Sequence, residues 1–433
     1  MTLPGAPHLC WQSDSLVFDG VELDALAARY GTPLYVYSRA SMLDALGTWQ
    51  RALAGRRHLL CYAVKANSNL AVLQTFARAG CGFDIVSGGE LERVLAAGGQ
   101  ASHTVFSGVG KTGREMRRAL DVGVRCFNVE SKAELHALSR VAVEAGRTAA
   151  VSLRVNPDVD AGTHPYISTG LRDNKFGIAH DAALASYATG AALPGLQVIG
   201  IDCHIGSQIT ELAPYLDALE RVLDLVEAVE SRGLAHIEHV DLGGGLGIIY
   251  TDESPPRADE LVACVLQRID ARGHGARELM FEPGRSLVGN AGVLLAQVLY
   301  LKPSAAPSGD PSRAAKNFCI VDAAMNDLVR PAMYDATMAI VPCRRRDEVA
   351  VNYDVVGPVC ESGDWLGRDR PLAVRPGDNV AVLSAGAYGM GMASNYNSRP
   401  RAAELMIADG DAFVVRERET LVDLMRGESL LPG

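Results

Sequence analysis

Eight short runs rich in Val, Ile, Leu and Phe, each leading into an amphipathic stretch or a loop, fill most of the first 290 residues and constrain the fold more than any other feature. They are HLLCYAVK, CGFDIV, HTVFSG, RCFNVE, AVSLRVN, QVIGIDCHIG, HIEHVDLGGG and ELMFEPGR. Strand-like runs alternating with helical stretches are the pattern of a parallel sheet, and eight of them predict a closed (β/α)8 barrel of the TIM type. Helical periodicity is plain in ELERVLAAGG and PYLDALERVLDLVEAVESRG, where apolar residues recur at i, i+3 and i+4 ahead of a glycine. In such a barrel chemistry gathers at the carboxyl ends of the strands, and at those ends stand Lys65, Asp84, His204, Gly243 to Gly245 and Glu282.

At 433 residues the chain exceeds what one core usually serves. Beyond about residue 290 the texture changes to strand-like segments, AGVLLAQVLYL, NFCIVDA, VNYDVVGP and NVAVLSA, broken by Pro, Gly and Asp. The expected division is a barrel over 41–290 and a mostly β domain from 1–40 and 291–433. The opening LVFDGVELDALAARYGTPLYVYS reads as strand, helix and strand placed before the barrel, and KPSAAPSGDPSRAAK, from Lys302 to Lys316, as an exposed loop with no periodic apolar face.

A hydrophobic share of 48% and a charged share of 21% are those of an ordinary globular chain, so disorder is not expected. The net charge of -10 argues against nucleic acid as the main partner, because phosphate backbones are held by clustered Lys and Arg. The one strong basic run, Arg344 to Arg346, has Asp347 and Glu348 beside it and reads as a solvated loop. Nine cysteines, scattered singly without a C-x-x-C pair, suit a reducing compartment, with the cytoplasm as the default. The N-terminal residues lack the basic patch and apolar stretch of a signal peptide, and no window reaches the roughly 18 apolar residues of a membrane span.

Several motifs suggest chemistry. GVGKT at Gly108 to Thr112 looks like a phosphate-binding loop, but that pattern requires glycine at position 105, where Val105 stands. A loop after the third barrel strand fits better. HIEH, at His236 to His239, is a poor metal pair, since side chains three apart at the start of a strand face opposite sides, and no metal is expected. GGGLG, at Gly243 to Gly247, follows a strand and would let backbone N–H groups approach a phosphate, although such turns are often Gly-rich for steric reasons alone. MFEPGRS sets Glu282 and Arg285 around a tight turn, able to grip opposite ends of an anionic, nitrogen-containing ring. Lys65 in CYAVKAN ends the first run between apolar neighbours, where desolvation would lower the amine pKa and favour Schiff-base chemistry. An isolated lysine would also suit a snorkelling surface role. Its coincidence with the glycine turn and Glu282 on one barrel mouth favours the chemical reading.

Together YAVKAN, FDIVSGGEL, HIGSQ, DLGGGLG, EPGRS, CESGDWL and GAYGMGMASNYNSRPRAAE resemble the diaminopimelate decarboxylases among the fold-type III pyridoxal-phosphate enzymes, over nearly the whole chain. The resemblance implies a (β/α)8 barrel joined to a β domain built from both chain ends, and a homodimer whose active sites are shared between subunits. It implies pyridoxal 5′-phosphate as cofactor and the conversion of meso-2,6-diaminopimelate to L-lysine and carbon dioxide. Related decarboxylases of other basic amino acids, and catalytically inactive relatives, are the alternatives. By the same resemblance Lys65 carries the cofactor as a Schiff base, His204 stacks on its ring and Glu282 pairs with its pyridine nitrogen. Asp84, Ser207, Gly245, Pro283, Gly284, Arg285 and Tyr388 lie with the cofactor, although Ser207 and Tyr388 could also make ordinary loop hydrogen bonds. Arg285, Arg330, Tyr334 and Tyr388 would hold the substrate, with Glu361 facing the distal ammonium. Cys360 would supply a proton from the neighbouring subunit. Without the resemblance, Cys360 reads as a small buried residue.

Overall fold

The computed structural model describes residues 3–160, 174–303 and 316–433. Within it the chain forms two compact units, one of Leu43–Ile248 with Ser254–Leu287, the other of Met1–Met42, Ile249–Glu253 and Val288–Gly433.

The first unit is the barrel. Its strands are β1 (His58–Ala63), β2 (Gly82–Ile85), β3 (Thr104–Phe106), β4 (Cys126–Val129), β5 (Ala149–Asn156), β6 (Leu196–Asp202), β7 (His239–Asp241) and β8 (Glu278–Phe281), one at each of the eight apolar runs, two of them starting a residue earlier. All pair in parallel, in the order β5-β6-β7-β8-β1-β2-β3-β4, and β4 closes the ring onto β5 through Phe127↔Val151. Parallel strands covered on both faces need apolar residues throughout, which is why the runs are nearly continuous rather than alternating. Cys61, Val105, Cys126 and Met280 pack together with Leu59, Ala150 and Ile199. Tyr62 lies 4.4 Å from the ring of Phe76, and Trp49 lies 5.2 Å from that of Phe281. A short strand, Ile178–Ala179, adds to the end of β5.

The helices begin where local chemistry starts them. Ser87 caps the helix Gly88–Ala96 by accepting the N–H of Glu90. Thr112 and Glu115 form a reciprocal capping box at the start of Gly113–Val122. GVGKT is therefore a loop leading into a cap, as its spacing predicts. Its lysine is buried: Lys111 Nζ donates to Gly108 O at 2.8 Å, Asn128 O at 2.8 Å and Glu134 Oε1 at 2.6 Å. The helix Ala213–Ser231 buries Leu219, Val222, Leu223, Val226 and Val229, the stripe its periodicity predicts.

The second unit is mostly β. Its main sheet runs Trp365–Leu372, Val351–Val356, Phe318–Val321, Gly292–Lys302, Leu34–Ser38, Ala403–Ala408, Asp411–Arg416, while Asn379–Val382 pairs along Gly292–Lys302 and Ile340–Pro342 pairs in turn with Asn379–Val382. The N-terminal strand Leu34–Ser38 lies between two C-terminal ones, antiparallel to Gly292–Lys302 and parallel to Ala403–Ala408. Both chain ends thus share one core, in which Leu16, Phe18, Leu34 and Val36 pack with Val293, Leu295, Leu383, Leu405 and Ile407. The basic run is structural: Arg346 pairs with Asp378, and the Arg345 guanidinium lies 4.1 Å over Trp11. Residues 304–315 of the predicted exposed loop lie outside the described residues. Among the described residues no helix is long and apolar enough to cross a membrane.

Candidate active site

Most of the predicted polar residues meet at the carboxyl ends of the barrel strands. Lys65 follows β1 in a short 3-10 turn, and its Nζ lies 2.7 Å from Asp84 Oδ2 on β2. The lysine side chain is 35% exposed and that of Asp84 is 0%, so an amine at the rim is held by a carboxylate within. The pairing follows from register, since Ala63 faces Asp84 across the sheet. Asp84 Oδ1 is buried with no donor among the described residues. An apolar setting read from Lys65's chain neighbours therefore omits its principal contact, an anion from the next strand.

His204 follows β6 and accepts the Gly244 N–H at Nδ1, 3.0 Å away, which puts its ring proton on Nε2. Desolvation, aided by the cations Arg154 and Lys65, holds its pKa well below the ordinary histidine value, so the ring is neutral. The glycine turn after β7 admits nothing larger. A Cβ on Gly244 would strike the Glu282 carbonyl, and one on Gly245, whose φ is +103°, would lie 2.6 Å from Gly206 O. After β8, Arg285 Nη2 donates to Ser207 Oγ at 2.9 Å, Pro283 O accepts the Ala63 N–H at 3.1 Å, and Gly284 packs on Ala63 and Ala66.

Glu282 is fully desolvated. Its Oε1 accepts from Asn128 Nδ2 at 3.2 Å, and its pKa lies well above the carboxylate range because of burial and the nearby charges of Asp241, Asp84 and Asp202. Carboxylate oxygens of Asp202, Asp241 and Glu282 lie within 4.8 Å of one another. Arg154 approaches Glu130 Oε1 at 3.3 Å and Asp202 Oδ2 at 4.0 Å. Sequence reasoning missed Asn128, Arg154, Asp202 and Asp241. Each is a buried polar residue of a barrel strand, and a buried polar group demands a partner; that was the available signal. His236 and His239 do not converge, the former being exposed and paired with Glu230, the latter buried at the start of β7.

In the β unit, Arg330 opens the short helix Arg330–Tyr334 and is 5% exposed. Its guanidinium carbon lies 5.5 Å from the ring centre of Tyr250, 5.6 Å from that of Tyr334 and 5.8 Å from that of Tyr388, an aromatic collar of cation–π geometry. Tyr250 was not predicted, since it belongs to a five-residue excursion, Ile249–Glu253, inside the barrel's sequence. Cys360 is exposed, contrary to the isolated reading of a small buried residue. It stands on a turn with Glu361, which is also exposed, so neither side chain is enclosed by the core. The Cys360 N–H donates to Asn397 Oδ1 at 3.1 Å, and the Tyr396 hydroxyl donates to Glu361 Oε1 at 2.5 Å.

Residues 39–289 match the family model described as pyridoxal-dependent decarboxylase, pyridoxal binding domain. The chain is 57% identical to the diaminopimelate decarboxylase of Pseudomonas aeruginosa, over 98% of this chain and 99% of that relative. It is 54% identical to that of Vibrio cholerae, again over 98% and 99%. Among solved structures, diaminopimelate decarboxylase from Helicobacter pylori complexed with L-lysine superposes with a TM-score of 0.86 at 39% identity, covering 93% of this chain and 98% of that one. The diaminopimelate decarboxylase of M. jannaschii gives 0.92 at 36% identity, covering 99% of each.

Proposed function

The chain belongs to the diaminopimelate decarboxylases of the pyridoxal-dependent decarboxylase family, and we propose how its residues divide the work of taking meso-2,6-diaminopimelate to L-lysine and carbon dioxide. The reaction breaks the bond to the carboxyl group at the D-configured centre, releases carbon dioxide and adds a proton to the same carbon. The observation that carries the reading is the convergence of Lys65, Asp84, His204, Glu282 and Arg285 on one barrel mouth.

That mouth fits pyridoxal 5′-phosphate by the chemistry of its donor set. A rim amine is available to the carbonyl, a neutral imidazole offers a flat face, a buried carboxyl suits a ring nitrogen, and glycine N–H groups with Ser207 and Arg285 suit a phosphate. When bound, the cofactor supplies an electron sink for the pair left on the substrate carbon as carbon dioxide departs. Lys65 would hold the cofactor through its amine, which Asp84 orients at 2.7 Å. His204 would stack on the ring, and Glu282 would pair with its nitrogen. Gly245, Pro283 and Gly284 would complete the cofactor's surroundings, to which the resemblance adds Tyr388.

For the substrate, the resemblance assigns Arg285, Arg330 and Tyr334 to the distal carboxylate, where an Arg fork is the usual partner, and Tyr388 to substrate binding. Glu361 receives the distal ammonium. This pair of charges suits diaminopimelate, and ornithine lacks the carboxylate at that end. Cys360 of the partner subunit gives the proton, in a homodimer with shared sites; the resemblance supports this. Nine free cysteines support a cytoplasmic location.

The test is to add pyridoxal 5′-phosphate and meso-diaminopimelate to the purified protein and assay lysine and carbon dioxide, with borohydride reduction to locate the cofactor. Lysine formation and a pyridoxyl label on Lys65 are expected. A label on another lysine, or faster turnover of ornithine or arginine, refutes the assignment.

A further inference from the structure

We propose that Asp241 is a positioning residue that fixes Glu282 by sharing a proton with it, joining the glycine turn and the carboxyl that meets the ring nitrogen into one rigid piece. The inference rests on the reading of Glu282 given above.

Three geometric facts carry it. First, Asp241 Oδ1 accepts the Gly243 N–H at 2.9 Å, while the Gly243 carbonyl accepts the Glu282 N–H at 2.7 Å. One glycine is thus held at its N–H by Asp241 and at its carbonyl by the backbone of Glu282. Second, Asp241 Oδ2 is buried and meets no donor among the described residues, and a carboxylate oxygen of Asp241 lies within 4.8 Å of one of Glu282. Third, β6 and β7 pair with Asp202 directly opposite Asp241, so a second carboxyl crowds the first. Asp202 Oδ1 also lacks a donor.

Ionised carboxylates cannot stand this close without a cation or a proton between them. Arg154 is turned to Glu130 and Asp202, and the Lys65 amine contacts Asp84. A carboxyl proton between Asp241 and Glu282 is the donor that Oδ2 lacks. Burial and mutual repulsion raise the pKa of both groups, which keeps that proton in place at neutral pH. Bound to Asp241 on one side and Asn128 on the other, Glu282 has its rotamer and free lone pair fixed before any cofactor arrives.

The experiment measures the pyridoxal 5′-phosphate Kd of apoprotein by fluorescence titration, for Asp241→Asn and Asp241→Ala, each in the native and the Glu282→Gln background. Asparagine keeps an acceptor for Gly243 and offers Glu282 an N–H without needing a shared proton. Asp241→Asn should stay within about threefold of native, and Asp241→Ala should weaken binding about tenfold or more, the range of a hydrogen bond to a charged group. In the Glu282→Gln background the alanine effect should shrink to about threefold or less, because coupled residues are not additive. Equal loss in both backgrounds, asparagine as poor as alanine, or a stoichiometric divalent ion in the native protein overturns the inference alone. Native affinity in Glu282→Gln overturns the reading of Glu282 and this inference with it. Should Asp241→Ala not fold, Asp241→Ser, polar but too short to reach Glu282, takes its place.

Discussion

Lys111 shows how a lysine in a nucleotide-like sequence can act as a buried strut. Its side chain is 0% exposed and that of Glu134 is 9%, with 2.6 Å between Nζ and Oε1. The same ammonium fills the carbonyls of Gly108 and Asn128, tying the loop after β3 to β4 and to the helix Lys132–Ala145. Lys111→Met keeps most of the apolar stem but leaves Glu134 charged with only the Glu130 N–H and strands two carbonyls. Breaking a buried pair from one side costs about 3–5 kcal/mol. For a unit of this size each kcal/mol lowers Tm by about 2–4 °C, so the variant should melt roughly 10 °C lower by circular dichroism. Adding Glu134→Gln removes the stranded charge and should restore about half the loss. A Tm for Lys111→Met within about 2 °C of native would show that desolvation cancels the pair's attraction, and would refute the strut.

Arg330→Ala should raise KM for diaminopimelate by about 10- to 100-fold in steady-state kinetics, the range of a charge-assisted bond; an unchanged KM removes Arg330 from the site. Mixing Lys65→Ala with Cys360→Ala protein should restore roughly a quarter of native activity, because random pairing makes about half the dimers mixed and each mixed dimer has one intact site. Mixtures that stay inactive despite proven subunit exchange rule out a shared site. Burial raises the Asp327 pKa to about 6 against an accepted N–H from Ala324, so the folded state holds this proton more tightly than the unfolded chain does. Its stabilising effect is full below about pH 4 and is lost as pH rises through 6, so Asp327→Asn should gain about 3 kcal/mol on native between pH 4 and 7 in urea titrations. Parallel pH curves for the two proteins would contradict this.

The barrel was legible because parallel strands covered on both faces are rich in apolar residues, as LLCYA within HLLCYA and LMF within ELMF are. Lys65 and Glu282 were legible for a related reason: a charged residue that closes such a run stands where the fold presents its chemistry. Asp202 and Asp241 also close their runs, yet their meaning was hidden. It comes from lying opposite each other across two strands, a register that neither run specifies alone. Asn128 has the same history, since its amide links Ser107 on one side with Glu282 on the other, far apart in sequence. Cys360 fails in the opposite sense: composition favours burying a cysteine, whereas its place on the turn before Asp364 exposes it, with Asp364 binding the N–H groups of Met325 and Val359. A sequence window therefore reveals which residues reach a barrel mouth, because depth is set along a strand. What each does there depends on charge balance around the ring, and that is settled only between strands: an amine beside Asp84 becomes an oriented amine, and a carboxyl beside Asp241 becomes half of a proton-sharing pair.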